Sequence, residues 1–349
     1  KGGASGRRTR HHYDPAGRLI WRRYFTSPAS DTGSNAGNDP ATGDVNLIWD
    51  RLSRLETATV SAGTGRPAIV TTRQYDPNLK DRIAAEQTDI TGILARTIRY
   101  GYDGWTGDVT GYAIREDLSP AGTLVRQVGY TRDSAGRLKT VTGYNFGGAD
   151  RTFTYTYVTN GGNMVEKVTG PSTEVTNVWE TRRNVLDTKT NKGAGTTRSS
   201  FDYTVNNLGQ RTGLTMGGAA TGSYTWTYNN AGELESANHS TMPAYDRDYN
   251  YDTAGNFTGT SGGVAFTPTA LNQYSQVGGV SMAYDDDGNM TTTRYDAGTV
   301  QTGTVAYDGE NRVISFAGRN FFYDAFSRRT VKIHTAAAVA EYFFYDGWN

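Results

Sequence analysis

Three consecutive aspartates, Asp285, Asp286 and Asp287, precede Gly288, an acidic cluster of the kind that builds cation loops. The twelfth position of that stretch holds no glutamate, so the EF-hand pattern is not met and a turn with solvated acids is the expected reading. The four histidines, His11, His12, His239 and His334, form neither His-x-x-x-His nor His-Glu-x-x-His, which leaves no zinc motif. Neither a Gly-x-Ser-x-Gly elbow nor a phosphate-binding loop is present. A glycoside hydrolase on this scaffold would need a carboxylate pair in special surroundings, and no acid here departs from the repeat described below. We therefore assign no catalytic, cofactor or metal-binding residue, and expect a protein that is not an enzyme. Asn238-His-Ser, Asn256-Phe-Thr and Asn289-Met-Thr are formal glycosylation sequons, although Asn256 and Asn289 fall where the repeat favours Asn anyway. Exposed tyrosines and tryptophans could stack on sugars, but their regular placement favours ladders within a sheet.

The acids belong to a repeated phrase, Tyr-Asp-x-x-Gly-(Arg/Asn)-(Leu/Met/Phe). It reads Tyr13-Asp-Pro-Ala-Gly-Arg-Leu19, Tyr251-Asp-Thr-Ala-Gly-Asn-Phe257 and Tyr284-Asp-Asp-Asp-Gly-Asn-Met290. Asp first and Gly fourth are the preferences of a type I turn, with Pro favoured second, and Asp14, Pro15 and Gly17 meet all three. Asp133 with Gly136, Asp252 with Gly255 and Asp285 with Gly288 fit as well, as do Asn206 with Gly209 and Asn229 with Gly232. The glycine supplies the positive φ that returns the chain, and the Asp or Asn caps its own turn. Each phrase thus reads as the tip of a β-hairpin.

Aligned by their turns, the units begin at Tyr13, Trp49, Tyr75, Tyr102, Arg132, Tyr157, Trp179, Val205, Tyr228, Tyr251, Tyr284, Tyr307, Tyr323 and Tyr345. Their mean spacing is roughly 26 residues, within the range of repeat arrays. The late phrases carry Asp308, Asp324 and Asp346 after their tyrosines. Incoming strands alternate with period two: Phe153, Tyr155 and Tyr157 against threonines, then Tyr224, Trp226 and Tyr228 against Thr225 and Thr227. One face is aromatic and the other hydroxyl-rich and wet. The expected fold is all-β, a repetitive strip of antiparallel hairpins. Residues 1–45 read as an irregular N-terminal part with one phrase, and 46–349 as the array. Asp81 to Thr88 has the composition of about two helical turns, whereas Thr26 to Asn46, Gly217 to Gly222 and Gly259 to Gly263 read as loops.

Whole-chain numbers agree with a thin, polar β protein. The 349 residues are 36% hydrophobic with 43 glycines and 23 tyrosines, and the mean hydropathy is −0.61. Aromatics at 12% and the regular pattern argue against disorder. Lys+Arg and Asp+Glu are both 35, so no chain-wide footprint for nucleic acid exists, and Arg7, Arg8, Arg10, Arg22 and Arg23 form only a local basic cluster. With no cysteine, disulfides, thiolate metal sites and a cysteine nucleophile are excluded. No apolar run is long enough to span a membrane as a helix. No leader is visible, and the sequence does not start with Met.

The phrases resemble those of the YD-repeat, or RHS-repeat, proteins from about Tyr13 to the last residue. The likeness rests on Tyr-Asp-x-x-Gly-Arg-Leu, on Leu271-Asn-Gln-Tyr274, and on the closing order Tyr307-Asp-Gly-Glu-Asn-Arg-Val313, Tyr323-Asp-Ala-Phe-Ser-Arg-Arg329 and Phe344-Tyr-Asp-Gly-Trp348. The resemblance implies a strip of hairpins spiralling into a hollow shell. In bacterial RHS proteins and Tc-toxin C components such a shell encloses a variable C-terminal toxin; in teneurins a related shell serves adhesion. It also implies an aspartate-based self-cleavage site in an Asp-Pro-x-Gly type segment after the repeats. We carry that role to no residue of this chain, whose sequence reaches Asn349 before such a segment; Asp14-Pro15-Ala16-Gly17 matches the string but reads as a turn. The expectation is a secreted or surface-delivered bacterial shell segment whose partner is its own C-terminal effector or neighbouring repeats. The alternative is a matrix or cell-surface protein forming tubes or filaments, with glycans as partners or modifications.

Overall fold

A computed structural model describes residues 8–26, 30–31, 37, 39, 42–63, 65–146, 148–219, 221–260, 263–296 and 299–347. The described chain is built almost wholly from antiparallel strands that pair with their neighbours in sequence, in one 20-stranded sheet and three smaller ones. It divides into two compact units, 1–127 with 283–349, and 128–282.

In the first unit, Arg8–Tyr13 pairs with Leu19–Phe25, Val45–Trp49 with Leu55–Val60, and Ile69–Tyr75 with Ile83–Ile90. Each register shifts by one residue just before the phrase aromatic, so Tyr13 lies opposite Leu19, Trp49 opposite Leu55 and Tyr75 opposite Ile83. That shift is the bulge which a turn ending in a left-handed residue produces. The unit's core gathers Tyr24, Val45, Leu55, Ala58, Val60 and Ile69 from these strands and Ala325 from the late phrases.

The stretch from Asp81 to Thr88 is not helical. Ile83–Ile90 is a strand held on both sides, by Ile69–Tyr75 and by Leu94–Tyr102. Two full ladders with Ala85, Glu86, Thr88 and Ile90 buried outweigh the slight helix preference of Ala, Glu and Gln. The expected loops are shorter than their composition suggests. Asn46 lies in Val45–Trp49, Gly217 and Gly218 end Arg211–Gly218, and Gly259 and Thr260 end Phe257–Thr260. Part of each, including residues 27–29, 32–36, 220 and 261–262, lies outside the described residues.

The second unit is a sheet with two unlike faces. Directly opposite residues share a face, and the register runs Tyr203 to Leu214, Leu214 to Tyr224, and Tyr224 to His239 across four strands. Tyr155 faces Val168, which faces Val175. The aromatics therefore alternate with aliphatic side chains across the sheet instead of stacking only on one another. On the other face hydroxyls meet: Thr142 and Thr152 at 2.9 Å, Thr227 and Ser236 at 2.8 Å. Only Ala237 and Val277 are buried hydrophobics among this unit's described residues, so the hydrogen-bonded ladder carries a large share of its stability.

At the tips, Gly17, Gly136, Gly209, Gly232, Gly255 and Gly288 all have φ between 78° and 84°. Gly255→Ala is expected to cost about 1–2 kcal/mol, the penalty of a left-handed L-residue. Urea unfolding checks this, and an unchanged midpoint would contradict the turn assignment.

Candidate functional site: the inter-hairpin tie

Where the phrase is fully kept it builds one small tie, whose parts come from three places; the units at Arg132 and Val205 lack the aromatic part. The turn residue braces its own hairpin. In Asp14, Oδ1 accepts the backbone N–H groups of Ala16 and Arg18, both at 2.9 Å, and Oδ2 accepts Arg18 Nε at 2.6 Å. Asp50, Asp133, Asp308 and Asp324 repeat this with Arg54, Arg137, Arg312 and Arg328. Asp252 and Asp285 do so with the amides of Asn256 and Asn289. Where the turn residue is Asn, the polarity reverses: Asn206 donates to Gln210 at 2.8 Å and Asn229 to Glu233 at 2.7 Å.

The residue after the glycine then reaches the next tip. Arg137 donates to Gly162 O, Gln210 to Gly232 O and Arg328 to Gly347 O, while Arg183, which stands in the glycine's own place in its phrase, donates to Asn206 O. Where Ser or Asn replaces the glycine at positive φ, its side chain serves as the acceptor. Ser53 receives Arg18, Asn272 receives Asn256, Asn311 receives Asn289 and Ser327 receives Arg312. The phrase from Trp49 to Leu55, which has Ser53 in the glycine's place, is thus a full member of the array.

The phrase aromatic closes the tie in the opposite direction. The Tyr75 hydroxyl donates to Leu55 O at 2.8 Å, Tyr102 to Ile83 O at 2.7 Å, Tyr157 to Leu138 O at 2.7 Å and Tyr228 to Arg211 O at 2.7 Å. Tyr251, Tyr307, Tyr323 and Tyr345 do the same to Leu234, Met290, Val313 and Arg329. Trp49 and Trp179 substitute an indole N–H, directed at Leu19 O and Val165 O. The preceding phrase's guanidinium lies over the same ring, at 4.2 Å for Arg54 on Tyr75 and Arg137 on Tyr157. Tyr13, in the first phrase, is 54% exposed, while the other phrase aromatics are half-buried. Asp286 and Asp287 point to solvent as tip residues, and Asp285 is spent on its turn. The sequon residues Asn256 and Asn289 are likewise spent in ties, whereas Asn238 is exposed. His12 stacks on Trp21 at 4.9 Å, and His334 Nε2 lies 3.0 Å from Glu341.

In the first unit the last phrases also dock on the early strands. Arg328 Nη1 meets Glu86 at 2.8 Å while its Nε meets Asp324 at 2.7 Å, and Arg73 holds the other oxygen of Glu86 at 2.8 Å. Asp308 and Asp324 are fully buried. Arg22 pairs with Glu310 at 2.5 Å, Tyr24 donates to the same carboxylate, and the Tyr100 hydroxyl reaches Asp346 at 2.8 Å. Burial works to raise the Glu310 carboxyl, but the Tyr24 hydroxyl and the Arg312 and Arg22 charges hold it below its ordinary value. Burial pushes Asp324 upward against the pull of Arg328. None of this cluster is legible from one phrase alone.

Neither a family model nor a curated protein matches the chain. Among solved structures it is similar to a chain of the Photorhabdus luminescens Tc holotoxin pore carrying a TccC3 mutation, at 14% identity and a TM-score of 0.38, over 96% of this chain and 23% of that one. It is similar to the TcdB2-TccC3-TEV crystal structure at 16% identity and a TM-score of 0.37, over 93% and 22%. It is also similar to a porin-like protein from Bacteroides uniformis at 14% identity and a TM-score of 0.27, over 61% and 86%. The chain spans less than a quarter of the two toxin chains. Fold and ties together define a hairpin-repeat protein. Its phrases are similar to those of the YD-repeat, or RHS-repeat, shells.

Three outcomes follow from the tie and the docking cluster. Tyr75→Phe removes one hydrogen bond to a carbonyl and is expected to cost about 0.5–1.5 kcal/mol, whereas Tyr13→Phe should stay within about 0.5 kcal/mol; equal effects in thermal unfolding would refute the tie. Glu86→Gln leaves Arg328 with Asp324 as its one carboxylate and Arg73 with a neutral partner, and is expected to cost about 1.5–3 kcal/mol, the worth of a hydrogen bond to a charged group, read from urea unfolding. The turn carboxyls are held below their ordinary value, Asp14 by the Arg18 backbone N–H, Asp50 by that of Arg54, Asp133 by the Arg137 guanidinium and Asp252 by the Asn256 amide. Their stabilisation is complete above the unfolded carboxylate value, about pH 4, and is lost as pH falls through the lowered folded values. The urea midpoint should therefore drop between pH 5 and pH 2.5, and a flat profile would contradict it.

Proposed function

We propose that this chain is a wall segment of a hollow RHS-type shell, secreted or delivered to the surface of a bacterium, that encloses or carries a C-terminal effector. Its work is mechanical and not enzymatic. The observation that carries the reading is the tie, which joins successive hairpin tips in both directions along the array. A wall made this way keeps its backbone groups paired and needs little core, so it suits containment, where area matters more than thickness. The buried ion-paired docking of the last phrases on early strands supports a segment that fastens onto itself. The test is to express the chain with the reading frame that flanks it and digest the product under native conditions. Containment predicts that a downstream segment survives protease until the wall is unfolded. Digestion of that segment at the rate of a free peptide would overturn the proposal.

One observation favours the matrix or cell-surface reading as well. Arg8–Tyr13 is exposed along nearly its whole length, and the only strand it pairs with among the described residues is Leu19–Phe25. A strand with so much exposed surface can accept a further strand, from a neighbouring repeat or from another copy. Electron microscopy separates the two, closed particles supporting the shell and filaments the extended array.

A further inference from the structure

Among its described residues the second unit holds one buried titratable group that the ties do not use. His239 ends the strand Leu234–His239 and is 5% exposed. Its ring lies edge-on to Tyr224 at 4.6 Å and 6.1 Å from Tyr245. Nδ1 accepts two backbone N–H groups, from Thr241 at 3.2 Å and Met242 at 3.1 Å. These two bonds fold the connection that continues through the short 3-10 turn Pro243–Tyr245 to the next strand. A side chain at Gly222 would collide with the ring's Cε1 and Nε2, so the ring is packed against bare backbone. Nε2 has no hydrogen-bond partner among the described residues.

An imidazole nitrogen that accepts hydrogen bonds carries a lone pair, so the ring's proton sits on Nε2 and the ring is neutral. A second proton could bind only at Nδ1, where two amide hydrogens already converge. The protonated ring donates from both nitrogens, and three hydrogens cannot share that space. The charged groups at the far end of the connection are Asp246, whose carboxylate accepts the His239 backbone N–H at 2.6 Å, and Arg247, whose guanidinium is directed to Ala244 O and Asp246 O. The phenols of Tyr224 and Tyr245 are the titratable groups against the ring.

We propose that His239 is an acid-released clasp: neutral, it pins the 240–246 connection to the wall; protonated, it frees that connection. Beyond the connection the next strand joins Leu234–His239 through Ser236 to Asp248, Ala237 to Arg247 and the Tyr251 hydroxyl on Leu234 O, so its release loosens the seam between these two hairpins. Histidine is the side chain suited to such a change between neutral and mildly acidic pH.

Hydrogen exchange at the Thr241 and Met242 amides tests this on the whole chain. After correction for intrinsic rates, protection should fall about tenfold between pH 7.5 and pH 5.5, the response of one ordinary histidine protonated only in the open state. His239→Asn keeps an acceptor oxygen at the δ position and cannot be protonated, so its protection should not change with pH. Asp246→Asn should retain the acid response. The proposal is overturned if the native chain shows no loss, if His239→Asn shows the same loss, or if the response vanishes only with Asp246→Asn.

Discussion

The structure depends on a hydrogen bond between an aromatic side chain and a backbone carbonyl one hairpin earlier. A hairpin alone is marginal in water because it buries too little surface to offset the entropy of ordering it. The phrase answers this by making each tip a partner of the next. The turn Asp or Asn fixes the residue after the glycine, that residue reaches forward to the following tip, and the following aromatic reaches back. Tyr75, Arg54 and Asp50 show all three parts at one place.

This arrangement explains why the composition is so polar for a folded chain of this length. In the second unit hardly any hydrophobic side chain is buried among the described residues, yet nearly every strand has two partners. Its cohesion is spread over ladders and ties and does not sit in one core. The first unit adds a true core and a buried ion cluster where Arg328, Asp324, Glu86 and Arg73 meet. A buried cluster of this kind favours one arrangement over others because each charge is costly without its partners.

The turns and the period-two strands were legible because they rest on local rules, such as Asp133 first and Gly136 fourth. The tyrosine's role was hidden for a physical reason. Its acceptor is a backbone carbonyl, which every residue owns, so nothing in the letter at Leu55 or Leu138 marks it. A signal did exist in the paired positions: Asp is followed four residues on by Arg or Asn, while Asn206 and Asn229 are followed by Gln210 and Glu233. The strand at Ile83–Ile90 reads as helix in the sequence because its Ala and Glu residues favour helix locally, and only the ladders on either side decide otherwise. The contact between Arg328 and Glu86 joins residues 242 apart, beyond any local pattern.

The donor and acceptor logic of the tie is open to a direct exchange of partners. At the phrase of Tyr228, Asn229 donates to Glu233, the reverse of the Asp-and-Arg pairs elsewhere. Asn229→Asp alone sets two carboxylates together, and Glu233→Arg alone sets two donors together. The decisive measurement is the unfolding free energy of the two single variants and the double. The account predicts that each single change destabilises and that the double returns close to the native value. A double variant as unstable as the sum of its singles would contradict it.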